Sequence, residues 1–339
     1  MSALLVTKHT SGRATVRAGW VLAVALFCAA ANADETAETA LAVMHDATRT
    51  LNYDGIFVYQ RAEQLESMRV IHRYANDTET ERLISLSGPA REVIRNGSMV
   101  TCLSADEEGA APDKNPPRDI IGIGFSAPVD KLRTSYAFAF DGKDRVAGRA
   151  ALIVAVTPHS PDRYAYRLWL DEQTHLLLKS AILDVNGHAL EQVQFTQLEV
   201  REEIASELLL PGIQGTTFNW HTDNDVDGNG ASAETTPHPP PRWQAGWLPR
   251  GFEFKESSVQ KMQDNFASIS HLVYSDGLAM VSVFVEAIVD EKRALRGQSS
   301  RGAVNAFSRV QDMHQITVVG EVPLQTVQQI ATSVTAINK

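Results

Sequence analysis

An α+β fold, with a large antiparallel sheet under partial helical cover and a second, smaller α+β unit, is predicted by three observations. The first is Arg163 to Val200, which reads as three consecutive strands. Tyr164, Tyr166, Leu168 and Leu170 fall two apart and line one face of an extended strand. Asp171 to His175 breaks the pattern, and Leu176 to Leu183 is a second apolar run. Val193 and Phe195 then alternate with Gln192, Gln194 and Thr196. The second observation is the recurrence of hairpin dipeptides between such runs: Asn96-Gly97, Asn186-Gly187 and Asp276-Gly277. At Asn186-Gly187 a type I′ turn, with positive φ at both central residues, is expected. The third is a polar tract, residues 222–242, with patterned segments on either side of it.

The elements follow in order. Residues 1–33 read as a secretory leader: Lys8, Arg13 and Arg17 precede the apolar stretch Trp20 to Ala30, and Ala31-Asn32-Ala33 is a small-x-small cleavage site. The apolar stretch is short for a bilayer span. Phe27 before Cys28 is too large for a lipoprotein site. Thr36 to Leu51 is an amphipathic helix, with Ala37, Ala40, Leu41, Met44, Ala47, Thr48 and Leu51 on one face. Asp54-Gly55 is expected to end it and Ile56 to open a strand. Met68 to Tyr74, Thr80 to Ser87, Arg91 to Arg95, Ser98 to Leu103, Tyr136 to Phe140 and Ala150 to Val156 are further strands. Ala105 to Arg118 is rich in Asp, Glu, Pro, Ala and Gly and reads as a loop.

Residues 222–242 can form no core and are expected to be an acidic, Pro-stiffened linker between an N-terminal domain, 34–221, and a C-terminal domain, 243–339. In the latter, Ser268 to Tyr274 and Ala279 to Ala287 flank Ser275-Asp276-Gly277, and Ile316 to Val319 is a strand. Pro323 opens a helix with Leu324, Val327, Ile330, Ala331 and Val334 on one face.

Charge and motifs exclude several functions. The chain carries 31 Lys and Arg against 41 Asp and Glu, a net −10, and −13 without the leader. No general basic field attracts nucleic acid. Cys102 is the one cysteine outside the leader, so no internal disulfide forms, and a small buried strand residue is its expected role. Asp223, Asp225, Asp227, Gly228 and Glu234 match the calcium-loop spacing. That loop needs flanking helices, whereas here its entry is strand-like and its exit Pro-rich, which favours a solvated linker. His221 and His238 fit no metal-ligand spacing. No nucleophile elbow, paired-histidine zinc helix or phosphate loop occurs, and no catalytic residue, metal or cofactor is expected. Trp169, Tyr164 and Tyr166 read as core more readily than as a ligand stripe. A curved antiparallel sheet with incomplete helical cover suits binding of a chain-like ligand.

The segments LNYDGIFVYQ, GPAREVIRNGSMVTC, YRLWLDEQTHLLLKSAILDVNGHALEQVQF, WLPRGF, LVYSDGLAMVSVFVE and ITVVGEVP resemble, in order, those of the MucB/RseB family. The long linker and the 105–118 loop depart from it. The resemblance implies an N-terminal half-open antiparallel β-barrel with packed helices, shaped like the lipoprotein carriers, plus a smaller α+β C-terminal domain. It implies a periplasmic, non-enzymatic regulator of sigma-factor envelope-stress signalling. In that family the protein binds the periplasmic domain of a membrane-spanning anti-sigma factor (RseA/MucA type) and shields it from proteolysis, and lipopolysaccharide or lipoprotein acyl chains release it. A homo-oligomer is left open, and a lipid or lipoprotein carrier without a signalling role is the competing expectation. Tyr166, Leu168, Leu170, Ile182 and Phe195 are expected to line the lipid-binding concavity. Tyr274, Asp276, Gly277, Phe284 and Arg309 are expected at or near the partner surface.

Overall fold

The computed structural model describes residues 35–105, 128–221, 241–261, 268–290, 292 and 294–337, and all of these lie in one unit, Glu35–Lys339. The leader, the calcium-loop match Asp223 to Glu234 and most of the 105–118 loop lie outside the described residues. The protein is mostly β-sheet with few helices.

Helix α1 (Ala37–Thr50) begins where Thr36 Oγ1 accepts from the Thr39 N–H at 3.1 Å, and it buries Ala37, Ala40, Leu41, Met44 and Ala47. It leads directly into β1 (Asn52–Arg61), earlier than the sequence suggests. Asp54-Gly55 therefore does not end the helix but lies inside the strand. The Phe195 ring occupies the space a side chain at position 55 would fill: a Cβ there would come within 2.6 Å of Phe195 Cε1 and 2.9 Å of the Gln197 carbonyl oxygen. Glycine at this point serves close strand packing, not termination.

The chain continues as β2 (Gln64–Ala75), β3 (Thr78–Ser85), β4 (Arg91–Asn96), β5 (Met99–Ser104), the short helix α2 (Val129–Leu132), β6 (Tyr136–Val146), β7 (Arg149–Pro158), β8 (Ala165–Asp171), β9 (Leu177–Leu183), β10 (Ala189–Arg201) and β11 (Thr216–His221). All eleven strands form one antiparallel sheet, ordered β11-β5-β4-β3-β2-β1-β10-β9-β8-β7-β6. Two meanders, β1–β5 and β6–β10, are joined by pairing β1 with β10. The strap 202–215 then crosses the sheet, packs Ile204 and Leu209 on Ile71, and delivers β11 to the β5 edge. The end strands β11 and β6 do not pair with each other, so the sheet is not closed. It is nonetheless curled, because α1 contacts both β2 and β6, strands far apart in the sheet order.

The Asn186-Gly187 hairpin forms, but with another turn. Gly187 has φ +81° and Asn186 is not among the positive-φ residues. The Gly187 N–H donates to the Asp184 carbonyl at 3.0 Å, and Asp184 Oδ1 accepts from the N–H groups of Asn186 and His188, each at 2.8 Å. These bonds hold a type I turn closed by a left-handed glycine. Paired positive φ instead occurs at Asn76-Asp77, Ala147-Gly148 and Asp312-Met313.

The second sheet is six-stranded, ordered β13-β14-β15-β18-β17-β16. It comprises β13 (Glu253–Lys261), β14 (Ser268–Ser275), β15 (Met280–Ala287), β16 (Gly297–Arg301), β17 (Val304–Gln311) and β18 (His314–Gly320), and follows the short strand β12 (Trp243–Ala245). Helix α3 (Leu324–Ser333) covers one face, burying Val327, Ile330 and Ala331 against Val281, Val283, Val285, Ile316 and Val318. The strand β19 (Val334–Ala336) then pairs with β12.

His72 of β2 is 1% exposed. Its ring stacks on Tyr53 at 4.7 Å, with Nδ1 2.8 Å from the Leu51 carbonyl oxygen and Nε2 3.1 Å from Glu79 Oε1. Both partners are acceptors, so only the imidazolium satisfies both. Burial opposes that charge. The Glu79 hydrogen bond, the Glu81 charge and the Leu51 carbonyl outweigh it and raise the pKa above the ordinary 6.5. Burial opposes the Glu79 charge too and so pushes its pKa up, but the His72 bond and charge bring it below the ordinary 4.5.

A raised histidine pKa gives stability that is full below 6.5 and lost as pH rises through the folded value, while that of Glu79 is lost only on acidification. The melting-temperature gap between wild type and His72→Gln should therefore narrow between about pH 6 and about pH 8.5; an unchanged gap would mean His72 is neutral in the fold. Gly55→Ala should cost about 1–3 kcal/mol in urea unfolding, because the Phe195 ring must move.

Candidate functional site

The two sheets meet end to end, and the contact is unusually polar. At its centre is the β14–β15 hairpin, Ser275-Asp276-Gly277-Leu278-Ala279. One carboxylate oxygen of Asp276 shapes the turn: Oδ1 accepts from the N–H groups of Leu278 at 2.9 Å and Ala279 at 2.8 Å. Gly277, at φ +96°, supplies the conformation that other residues resist. The other oxygen faces the large sheet. The Tyr136 hydroxyl donates to Oδ2 at 3.0 Å, and Arg163 Nη1 lies 3.3 Å from it.

Arg163 sits in the connection between β7 and β8 and is 2% exposed. Its Nη2 donates to the Arg250 carbonyl at 2.6 Å, and its guanidinium lies 5.5 Å from the Tyr136 ring centroid and 5.1 Å from that of Phe252. Nε is 3.1 Å from Asp162 Oδ1, yet it lacks hydrogen-bond geometry and has no hydrogen-bond partner. That contact is therefore electrostatic only. Burial, then the Tyr166 and Asp276 neighbours, push the Tyr136 pKa far up, so its hydroxyl stays a donor.

Two flanking contacts complete the joint. Glu191 of β10 accepts from Tyr59 Oη at 2.6 Å and from the Ala303 N–H at 3.0 Å, and pairs with Arg61 at 3.2 Å. Gly302, at φ +61°, has no room for a side chain: a Cβ would meet Glu191 Oε1 at 2.6 Å. Beside it Asn305 Nδ2 donates to the Tyr164 hydroxyl and to the Val322 carbonyl, each at 2.8 Å, while Thr326 Oγ1 donates to the Asp162 carbonyl at 2.9 Å.

An apolar contact accompanies these bonds. Leu278, at the hairpin tip, is 8% exposed and belongs to a cluster with Leu41 and Met44 of α1, Leu132, Tyr136 and Tyr166. Leu168 and Leu170 belong to the same cluster, and Ile182 packs against it half-buried. Four of the five residues expected to line a concavity are thus together, as packed core beneath α1. The fifth, Phe195, lies in the neighbouring cluster, edge-on to Phe57 at 5.7 Å. Trp169 belongs to that neighbouring cluster too, with Lys179 over its ring at 4.4 Å.

The residues expected at the partner surface fall in three places. Asp276 and Gly277 form the buried hairpin tip. Tyr274 is core, its hydroxyl accepting from the Ala245 N–H at 3.1 Å, and Arg309 Nε donates to the Ala331 carbonyl at 2.8 Å, capping the end of α3. Phe284 lies on the sheet face opposite α3, stacked on His271 at 4.4 Å and in register with Thr317. Thr317 in turn is opposite Ser308. Arg163, Tyr136, Glu191 and Asn305 were not singled out from the sequence, since each gains its role from a residue far along the chain.

Among the described residues no group of His, Cys, Asp and Glu is arranged to hold a metal ion, and no helix is long and apolar enough to cross a membrane. Cys102 is buried in β5, and burial raises its thiol pKa.

Comparison with known proteins fits this architecture. The family model of the MucB/RseB N-terminal domain matches residues 36–213, and that of the MucB/RseB C-terminal domain matches residues 237–335. The sigma factor AlgU regulatory protein MucB of Pseudomonas aeruginosa is 32% identical over 295 residues, covering 85% of this chain and 87% of MucB. The sigma-E factor regulatory protein RseB of Salmonella typhimurium is 29% identical over 328 residues, covering 93% of this chain and 95% of RseB. Both relatives are named regulatory proteins, not enzymes. A crystal structure of MucB in complex with MucA(peri) superposes with a TM-score of 0.70 at 30% identity, covering 89% of this chain and all of that one. On these matches, spanning both sheets and the joint between them, the chain belongs to the MucB/RseB family.

Proposed function

We propose that this chain is a periplasmic, non-enzymatic negative regulator of envelope-stress sigma-factor signalling. It binds the periplasmic domain of a membrane anti-sigma factor, shields it from proteolysis, and is released when lipopolysaccharide or a lipoprotein occupies it. The observation that carries this reading is the full-length similarity to MucB, which has been crystallised with MucA(peri). In this reading residues 34–221 are a half-open barrel that senses the amphiphile, 222–242 are a linker, and 243–339 bind the partner.

The partner surface is the face of the small sheet that α3 leaves open. Solvent-facing positions of an antiparallel sheet usually carry charge. Here the rows His271-Phe284-Thr317-Ser308 and Val273-Ser282-Val319-Ala306 are uncharged apart from what His271 carries, bordered by Glu256 opposite Val273 and by Glu286 in the next row, and burial lowers the His271 pKa. Phe284 is its anchor. Tyr274 and Arg309 support it from the opposite side, and Asp276 with Gly277 link it to the large sheet. Tyr166, Leu168, Leu170, Ile182 and Phe195 line or support the apolar interior that an acyl chain enters. Release requires the amphiphile to favour the free protein over the complex, because a ligand shifts an equilibrium only by its differential affinity.

Calorimetric titration of residues 34–339 with the periplasmic segment of the anti-sigma factor from the same organism tests the reading. Saturable binding is expected, weakened by lipopolysaccharide. Phe284→Ala should weaken it about tenfold or more, as truncation of a buried aromatic anchor does. No binding by a folded protein would favour a lipid or lipoprotein carrier instead.

A further inference from the structure

The hairpin tip offers the large sheet two unlike groups side by side: the Asp276 carboxylate and the Leu278 isobutyl group. They are received by unlike surroundings. The carboxylate meets Arg163 and the Tyr136 hydroxyl, while Leu278 enters the apolar cluster of Leu41, Met44, Leu132 and Tyr166. Tyr136 marks the border, since its hydroxyl serves the charged half and its ring the apolar half. An anionic head with a hydrocarbon tail has this same division. The receiving side holds its occupant through one edge of the guanidinium, Nη1, and the Tyr136 hydroxyl, while Nη2 is taken by the Arg250 carbonyl and Nε lies against Asp162.

We propose that this socket is a binding site for an anionic amphiphile, a phosphate or carboxylate head on an alkyl chain, and that the Ser275–Ala279 hairpin is its internal occupant. The head takes the place of Asp276 on Arg163 and Tyr136, and the first carbons take the place of Leu278. Asp162, beside Arg163, opposes the anion and limits its affinity. Ligand and hairpin cannot occupy the socket together, so binding frees the hairpin from the large sheet and leaves the bonds of Glu191, Asn305 and Thr326 to hold the joint. This rests on the amphiphile-sensing reading above and adds where the ligand sits and what it displaces.

The test titrates dodecyl phosphate, below its micellar concentration, into residues 34–339 and into Leu278→Ala and Leu278→Met, each first shown folded by its thermal melt. Dodecyltrimethylammonium and inorganic phosphate are the comparison ligands. Wild type should bind dodecyl phosphate saturably, the cationic amphiphile about tenfold more weakly, and inorganic phosphate not measurably. Leu278→Ala should bind dodecyl phosphate about tenfold more tightly than wild type, and Leu278→Met as wild type does. In wild type the ligand should speed hydrogen exchange at the Gly277, Leu278 and Ala279 amides. Leu278→Ala binding within about twofold of wild type, or unchanged exchange at those amides, would overturn the competition. Equal binding of the two amphiphiles, or binding of inorganic phosphate as strong as that of dodecyl phosphate, would overturn the assignment of head and tail. If no form binds either amphiphile, the sensing reading itself fails and this inference fails with it.

Discussion

The buried pair of Arg163 and Asp276 is the constraint on which the rest of the architecture depends. Neither charge has water to fall back on, so each is stable only while the other is in place. Asp276 meets the demand with all its acceptor capacity: two backbone amides fold its own hairpin, and Tyr136 and Arg163 hold the large sheet. The same carboxylate thus sets the local turn and the joint between two sheets. A joint of apolar residues alone would be more tolerant of sliding. Charged groups with one satisfying geometry admit a single docked arrangement, and they also leave that arrangement open to a competitor that offers the same charge.

This polar joint contrasts with the two cores it connects. Beneath α1, and between the small sheet and α3, burial is almost wholly aliphatic and aromatic. Those cores hold each sheet together, and only Leu278 of the small sheet's hairpin reaches into the core of the other. Between them, Glu191, Asn305 and Thr326 add directional bonds, and Gly302 permits a closeness that any side chain would forbid. Strength within each sheet and specificity between them come from different chemistry.

Much of the fold was legible in the sequence where the cause is local. Thr36 and the apolar spacing behind it mark α1, and the alternation of Tyr166, Leu168 and Leu170 marks the face they bury. Where a tertiary neighbour decides, sequence reading failed. Gly55 resembles a terminator until the Phe195 ring is seen above it. Asn186-Gly187 suggests one turn, but the Asp184 carboxylate imposes another. The strand β13, Glu253–Lys261, is polar enough to pass for a loop, and the pairing of β11 with β5 has no local signal. At the site, Asp276-Gly277 was visible as a hairpin dipeptide. That its carboxylate is claimed by Arg163, more than a hundred residues earlier, was not.

Pairing the first strand with the tenth has a consequence for how the chain is made. Asn52 Nδ2 donates to the Glu202 carbonyl across 150 residues of sequence, and β1 lies in the middle of the large sheet. Closing so long a loop is entropically costly, and folds dominated by such contacts form slowly. A chain emerging from its N-terminus completes the β1–β5 meander long before Ala189–Arg201 exists. Until then β1 carries an open row of unpaired amides and carbonyls, the kind of edge on which other chains assemble. A chain that stops short of Arg201 is therefore not a smaller version of this protein but an unfinished sheet with its centre exposed.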